Sequence, residues 1–291
     1  MMFAENATDR MIYVPAEAVA DYKAAYGWST YADSIVAKAN PNKPANNEIW
    51  YTTNNGNGIY TGFPSFRVKH LSTTYNAEKA CGVATFDGPI KKIGQDAFVS
   101  KTNLTTVFLP DSATSIESSA FSGGSALVSV DFPANLKKIG SFAFYSCTSL
   151  VDVKIPDTVE LIDQGAFDSC SGLQYVVVGN SVTTIESYAF YGTSNLQSIV
   201  LGSQVETIAT QAFTNSGLTS ITLPESVKKL GDNVFMSCKS LQEVYCMPTT
   251  PPSCGSGVFS NPSSKLVIYV PSNAYLTATN WSSWADRMRF F

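Results

Sequence analysis

Histidine is nearly absent: His70 is the only one among 291 residues. A Ser-His-Asp or Cys-His relay would have to be assembled around it, and no nucleophile-elbow sequence lies nearby. Charge is scarce as well, at 14% of residues against the ~25% of an average globular protein. The net charge is −4 and no block of Lys or Arg occurs. Duplex nucleic acid and anionic membranes need a basic stripe that releases counterions, so neither is an expected partner. No run reaches the ~18 apolar residues of a membrane helix. The N-terminus, Met1-Met2-Phe3-Ala4-Glu5-Asn6, has no basic stretch followed by an apolar one, so no export signal is visible. A glycine-rich phosphate loop followed by Lys-Ser or Lys-Thr is missing.

Metal and catalytic motifs are equally thin. Six cysteines occur, and Cys238, Cys246 and Cys254 are spaced by eight, but no Cys/His cluster with zinc-ligand spacing forms. These cysteines read as buried thiols. A disulfide between Cys246 and Cys254, or between Cys147 and Cys170, is the alternative. The run Asn54-Asn55-Gly56-Asn57-Gly58 resembles a calcium loop only superficially, because the twelfth position is Ser65 where a Glu is needed. No motif nominates a carboxylate pair for glycoside hydrolysis. We expect no cofactor, no metal and no catalysis.

What the chain does have is a repeat. Phe98, Phe121, Phe144, Phe167, Phe190, Phe213, Phe235 and Phe259 follow one another at gaps of 23, 23, 23, 23, 23, 22 and 24 residues. Ala precedes the first six and Val the last two. Ile or Leu lies five residues before the first seven, from Ile93 to Leu230. Downstream comes a Leu (Leu104 to Leu241), and three residues later a Val or Ile (Val107 to Val244). The consensus is close to V-x-x-I-x-x-x-A-F-x-x-C-x-x-L-x-x-V-x-L-P.

The segment L-x-x-V-x-L ends in period-2 alternation, the mark of a half-buried strand. Pro110, Pro133, Pro156, Gly179, Gly202 or Pro224 then stops it. One such strand cannot bury its apolar face alone, whereas stacked copies can, each coil covering the next. The expected fold is a solenoid: short parallel strands stacked in coils of about 23 residues, turn or 3-10 segments on the opposite side, and terminal caps. Seven strand steps of ~4.8 Å give an array of roughly 34 Å. The phenylalanines should form one continuous buried spine. The position three after each Phe is Cys147, Cys170 or Cys238, and otherwise small or polar, as a recurring small buried site requires.

This pattern resembles the BspA-like, or Treponema-type, leucine-rich repeats, over roughly residues 83–260. Pro156-Asp157-Thr158-Val159 and Ile139-Gly140-Ser141-Phe142-Ala143-Phe144 match that form closely. The resemblance implies a leucine-rich-repeat solenoid from an exported surface protein of host-associated bacteria. It implies recognition or adhesion rather than chemistry, because the family has no catalytic residues to carry over.

Outside the repeats, Ile12-Tyr13-Val14-Pro15 recurs as Ile268-Tyr269-Val270-Pro271. After a three-residue offset, Trp28-Ser29-Thr30-Tyr31-Ala32-Asp33 aligns with Trp281-Ser282-Ser283-Trp284-Ala285-Asp286, and Tyr22 with Tyr275. Solenoids need atypical terminal units. We read 261–291 as a C-terminal cap, 83–260 as the eight-unit array and 48–82 as an N-terminal cap. In that N-terminal cap the strand Glu48-Ile49-Trp50-Tyr51-Thr52-Thr53 would form a hairpin through Asn54–Gly58 with a strand from Ile59. Residues 1–38 then read as the remnant of a preceding module's cap and 39–47 as a linker. On that reading the chain is a piece of a longer multi-module surface protein, with its export signal upstream.

Side chains between the buried strand positions should face outward in two rows. One runs through Thr106, Ser129, Asp152, Tyr175, Ser198, Ser220 and Glu243, the other through Phe108, Asp131, Lys154, Val177, Val200, Thr222 and Tyr245. The expected ligand-binding residues are Phe108, Asp131, Asp152, Lys154, Tyr175, Val177, Val200, Glu243 and Tyr245, because exposed aromatics in such a face make good anchors. The competing explanation is that β-branched and aromatic residues favour strands anyway. The expected partner is a host or bacterial protein. A passive spacer is the first alternative and a carbohydrate-binding module the second. The carbohydrate reading wants exposed Trp or Tyr platforms, and solvent-accessible Trp281 and Trp284 would favour it.

Overall fold

The computed structural model describes residues 12–14, 35–37, 43–56, 66–77 and 80–291. The chain divides into two compact units, Met1–Lys43 and Pro44–Phe291. In the first, the strands Ile12–Val14 and Ile35–Ala37 pair in parallel, Ile12 opposite Ile35 and Val14 opposite Ala37.

The second unit is a parallel β-solenoid whose coils repeat three segments. The first is a two-residue strand carrying the Ile of the consensus. Eight of these, from Lys92–Ile93 to Ser253–Cys254, make one parallel ladder, with Ile139 opposite Ile116 and Ile162. Cys254 takes the apolar place in the last of them, opposite Leu230. The second segment is the Ala-Phe turn. The third is the longer Val strand, for example Asp152–Lys154, Tyr175–Val177 and Ser198–Val200, which also pair in register. The side opposite the Val strands therefore carries turns and a second ladder. Among the described residues 3-10 helix is confined to the C-terminal cap, at Asn273–Leu276 and Ser282–Arg287.

The eight phenylalanines form one column. All are at most 1% exposed. Successive rings lie 4.9–5.6 Å apart with planes within 9° of parallel. The small buried site beside them also does consistent work. The thiols of Cys147, Cys170 and Cys238 donate to the carbonyls of Phe121, Phe144 and Phe213, at 3.2, 3.0 and 3.0 Å. Cys147, Cys170, Cys238, Cys246 and Cys254 are free thiols. Burial pushes the Cys147 thiol up to about 12 and raises Cys170 and Cys238 as well.

The turn has a backbone rule that the consensus hides. In every coil the residues two before and two after the Phe have positive φ, from Asp96 and Ser100 to Gly257 and Asn261. This twist points their N–H groups at the next coil: Ser119 N–H donates to Ser141 O at 2.9 Å and Gly123 N–H to Tyr145 O at 2.7 Å. The bonds extend the stacking to the turn side, so the turn's polar backbone is satisfied without a helix. Gly, Asn, Asp and Ser fill most of these places, as left-handed backbone favours.

Both ends are covered. At the start, Glu48–Thr53 pairs antiparallel with Leu104–Phe108 on one side and Cys81–Phe86 on the other. Cys81–Phe86 in turn pairs with His70–Asn76. The hairpin partners of Glu48–Thr53 are thus distant in sequence; the strand expected from Ile59 lies outside the described residues. Phe66 caps the spine, edge-on to Phe98 at 6.4 Å. At the other end Trp281 is fully buried, 6.2 Å from Phe259, and Trp284 meets the same ring edge-on at 5.6 Å. Tyr275 O–H donates to Pro248 O at 2.8 Å and Trp281 Nε1–H to Pro252 O at 2.7 Å, which ties the cap to the last coil.

Candidate functional site

The outer face of the Val strands gathers most of the residues picked out from sequence. The pairing register places Asp152, Tyr175 and Ser198 in one row and Lys154, Val177 and Val200 in the next. Further along, Ser220 lies opposite Glu243 and Thr222 opposite Tyr245. Val200 is 42% exposed, a large apolar side chain left in water. Asp152 is exposed as a residue, while desolvation of its carboxyl pushes it up to about 6. Asp131, Lys154, Val177 and Glu243 are half-buried along the same face.

Two residues depart from expectation. Phe108 does not face solvent: it lies opposite Trp50 and is buried with Trp50, Cys81 and Val83 in a small second core. The N-terminal cap strand lays its own apolar side chains over the start of the sheet face. Tyr175 is only 9% exposed. It lies along the sheet, with its hydroxyl donating to Gln197 Oε1 of the next coil at 3.0 Å. A ring held this way stabilises the stack, so removing it costs stability.

One residue was missed. Tyr269 is opposite Tyr245 in register, and the two rings stack at 4.7 Å and 7°. Both are half-buried, presenting a two-ring surface at the C-terminal end of the face. The signal was available, since Ile268-Tyr269 repeats the Val244-Tyr245 pattern one coil later.

The other chemical candidates settle into structural places. His70 Nε2 lies 2.9 Å from Thr73 Oγ1, and its ring meets Phe86 edge-on at 5.6 Å. Trp281 is fully buried and Trp50 3% exposed, so neither is a sugar platform; Trp28 lies outside the described residues. Among the described residues no group of His, Cys, Asp and Glu could hold a metal ion, and no helix is long and apolar enough to cross a membrane.

Comparison with known proteins agrees with this architecture. A family model described as BspA type leucine rich repeat region matches in six copies, over residues 91–216 and 166–281. Among solved structures, a leucine-rich repeat protein from Bacteroides ovatus is 24% identical with a TM-score of 0.52, covering 69% of this chain and 58% of that one. A leucine rich cell surface protein from Faecalibacterium prausnitzii is 26% identical with a TM-score of 0.52, covering 63% of this chain and 56% of that one. The chain thus spans a little under three fifths of the length of these two structures. No curated protein matches by sequence.

Proposed function

Because this chain belongs to the BspA-type leucine-rich-repeat family, we propose that it is a non-catalytic recognition module of a bacterial cell surface, binding a protein ligand through the outer face of its Val strands. The single observation that carries this reading is the stacked pair Tyr245–Tyr269, in register with exposed Thr222 and near Glu243. Amphipathic rings flanked by polar and acidic groups are the usual composition of an interface anchor. The description of the Faecalibacterium structure as a cell surface protein supports the location. The strands Ile12–Val14 and Ile35–Ala37 fit a second cap of the C-terminal type. Ile12 pairs in parallel with Ile35 as Ile268 pairs with Met288, which is the partner the sequence alignment of the two segments assigns.

The test is binding of the full chain to a panel of purified extracellular-matrix and bacterial surface proteins, with and without Tyr245→Ala and Tyr269→Ala. The reading predicts at least a tenfold loss of affinity in a variant that still folds, with a far-UV circular dichroism spectrum like the parent's and a midpoint lowered only by the lost ring stacking. Equal binding by the double variant would remove this face; absence of any ligand from the panel favours the spacer.

A further inference from the structure

A second surface lies on the Ala-Phe turn, away from the Val strands. Phe142 and Tyr145 meet edge-on at 6.1 Å, and Tyr188 and Tyr191 at 5.8 Å. The two pairs occupy equivalent places two coils apart, separated by steps of 5.2 and 5.3 Å along the buried spine. In the coil between them the equivalent places are Gly165 and Asp168. A Cβ on Gly165 would run into the Phe142 ring, so that ring lies over the glycine of the coil between the two pairs. Tyr145 is 40% exposed and the other three rings are half-buried.

Phe142 and Tyr188 stand at φ +55° and +62°, a region that bulky side chains rarely enter. The same place elsewhere is Asp96, Ser119, Gln211 or Asn233, or the glycines Gly165 and Gly257. Nothing in the core requires an aromatic there, because the spine is built by the inward Phe two residues later. Strained residues of this kind collect at binding sites, where the strain is tolerated for what the side chain touches.

We propose that this corner is a carbohydrate platform for an extended neutral glycan, with alternate sugar rings seated at the Tyr145 and Tyr191 ends. Aromatic faces pack against the C–H faces of a sugar ring, and a straight row of rings two coil steps apart suits a linear polymer of rings. The gap between the pairs is polar rather than aliphatic. Asp168 sits there, with Ser169 Oγ donating to its Oδ1 at 2.7 Å, and its carboxylate is an acceptor for sugar hydroxyls. Asn215 Nδ2 lies 3.4 Å from the Tyr191 hydroxyl and adds a donor beside the second pair.

The experiment is affinity electrophoresis of the full chain in gels containing a β-glucan, a mannan or a galactan. At least one polysaccharide retards the chain, and Tyr145→Ser with Tyr191→Ser weakens that affinity at least tenfold. Serine already occupies this place at Ser122 and Ser260, so the thermal midpoint holds. Should the double variant fold poorly, Asp168→Asn decides, with at least threefold weaker retardation expected. The Tyr245→Ala, Tyr269→Ala variant is retarded like the parent, which keeps this surface separate from the Val-strand face. No retardation by any of the three polymers, or full retardation of the variants, overturns the proposal.

Discussion

Phe144 and Phe167 lie face to face, 5.2 Å apart and 4° from parallel, and neither ring touches solvent. The relationship is repeated at each neighbouring coil, so the loss of one ring is felt by the coils on both sides. Phe167→Ala removes a fully buried ring and leaves a cavity that the adjacent rings, fixed by their own coils, cannot fill. We expect a destabilisation of about 3–5 kcal/mol, read as a lowered midpoint in chemical denaturation. Phe167→Leu keeps most of the volume and should cost less. Equal stability of Phe167→Ala and the parent would contradict a shared spine.

The buried thiols should be chemically silent. Cys147 and Cys254 are pushed up to about 12 by burial, and Cys246 also lies above its ordinary value through burial and the nearby Cys254. Only the thiolate reacts quickly with thiol reagents. Titration of the native chain at pH 8 should show no fast-reacting group, with partly exposed Cys254 reacting slowly. Denaturation without reductant should release all six. A count of four would show a disulfide.

The same thiols set an alkaline limit. Their folded values stand above the ordinary 9.0, so the stability tied to their protonated form is complete below about pH 9. It is lost as the pH rises through about 12, where the folded thiols ionise. The denaturation midpoint should therefore fall steadily across this window, and Cys147→Ala should flatten the slope. A slope unchanged by that substitution would assign the alkaline loss to other groups.

At the cap, Tyr275 and Trp281 donate to carbonyls of Pro248 and Pro252 in the last coil. Tyr275→Phe keeps the ring but leaves the Pro248 carbonyl without this donor, which should cost about 1–3 kcal/mol. Trp281→Ala uncovers Phe259 and should produce aggregation, visible in light scattering, before the array itself melts. A monodisperse, fully stable Trp281→Ala protein would show that the end of the spine needs no cover.

Much of this architecture was legible because the period marks inward positions directly. The eight Phe, the Ile before them and the Leu and Val after them are all where a 23-residue coil needs them. The sign of φ is not carried by hydrophobic periodicity, so the left-handed residues flanking each Phe were hidden. With them were hidden the inter-coil bonds that replace a helix on the turn side. The weak preference for Gly, Asn and Ser at those places was the only sequence trace, and Phe142 and Tyr188 break it. The two outward rows of the candidate face followed from offsets within each repeat. Burial of Phe108 did not, because Trp50, its cover, is 58 residues away and belongs to an antiparallel strand outside the repeat. Tyr175 was misjudged because alternation gives the face on which a side chain starts, not whether it then lies flat toward Gln197.

The most direct test is a crystal structure of the full chain, with attention to the eight rings from Phe98 to Phe259. The account predicts one uninterrupted column, every ring parallel to the next at about 5 Å and sealed by Trp281 at its end. Rings distributed among separate cores, or lying at the protein surface, would contradict it and with it the assignment of the Val-strand face as outward.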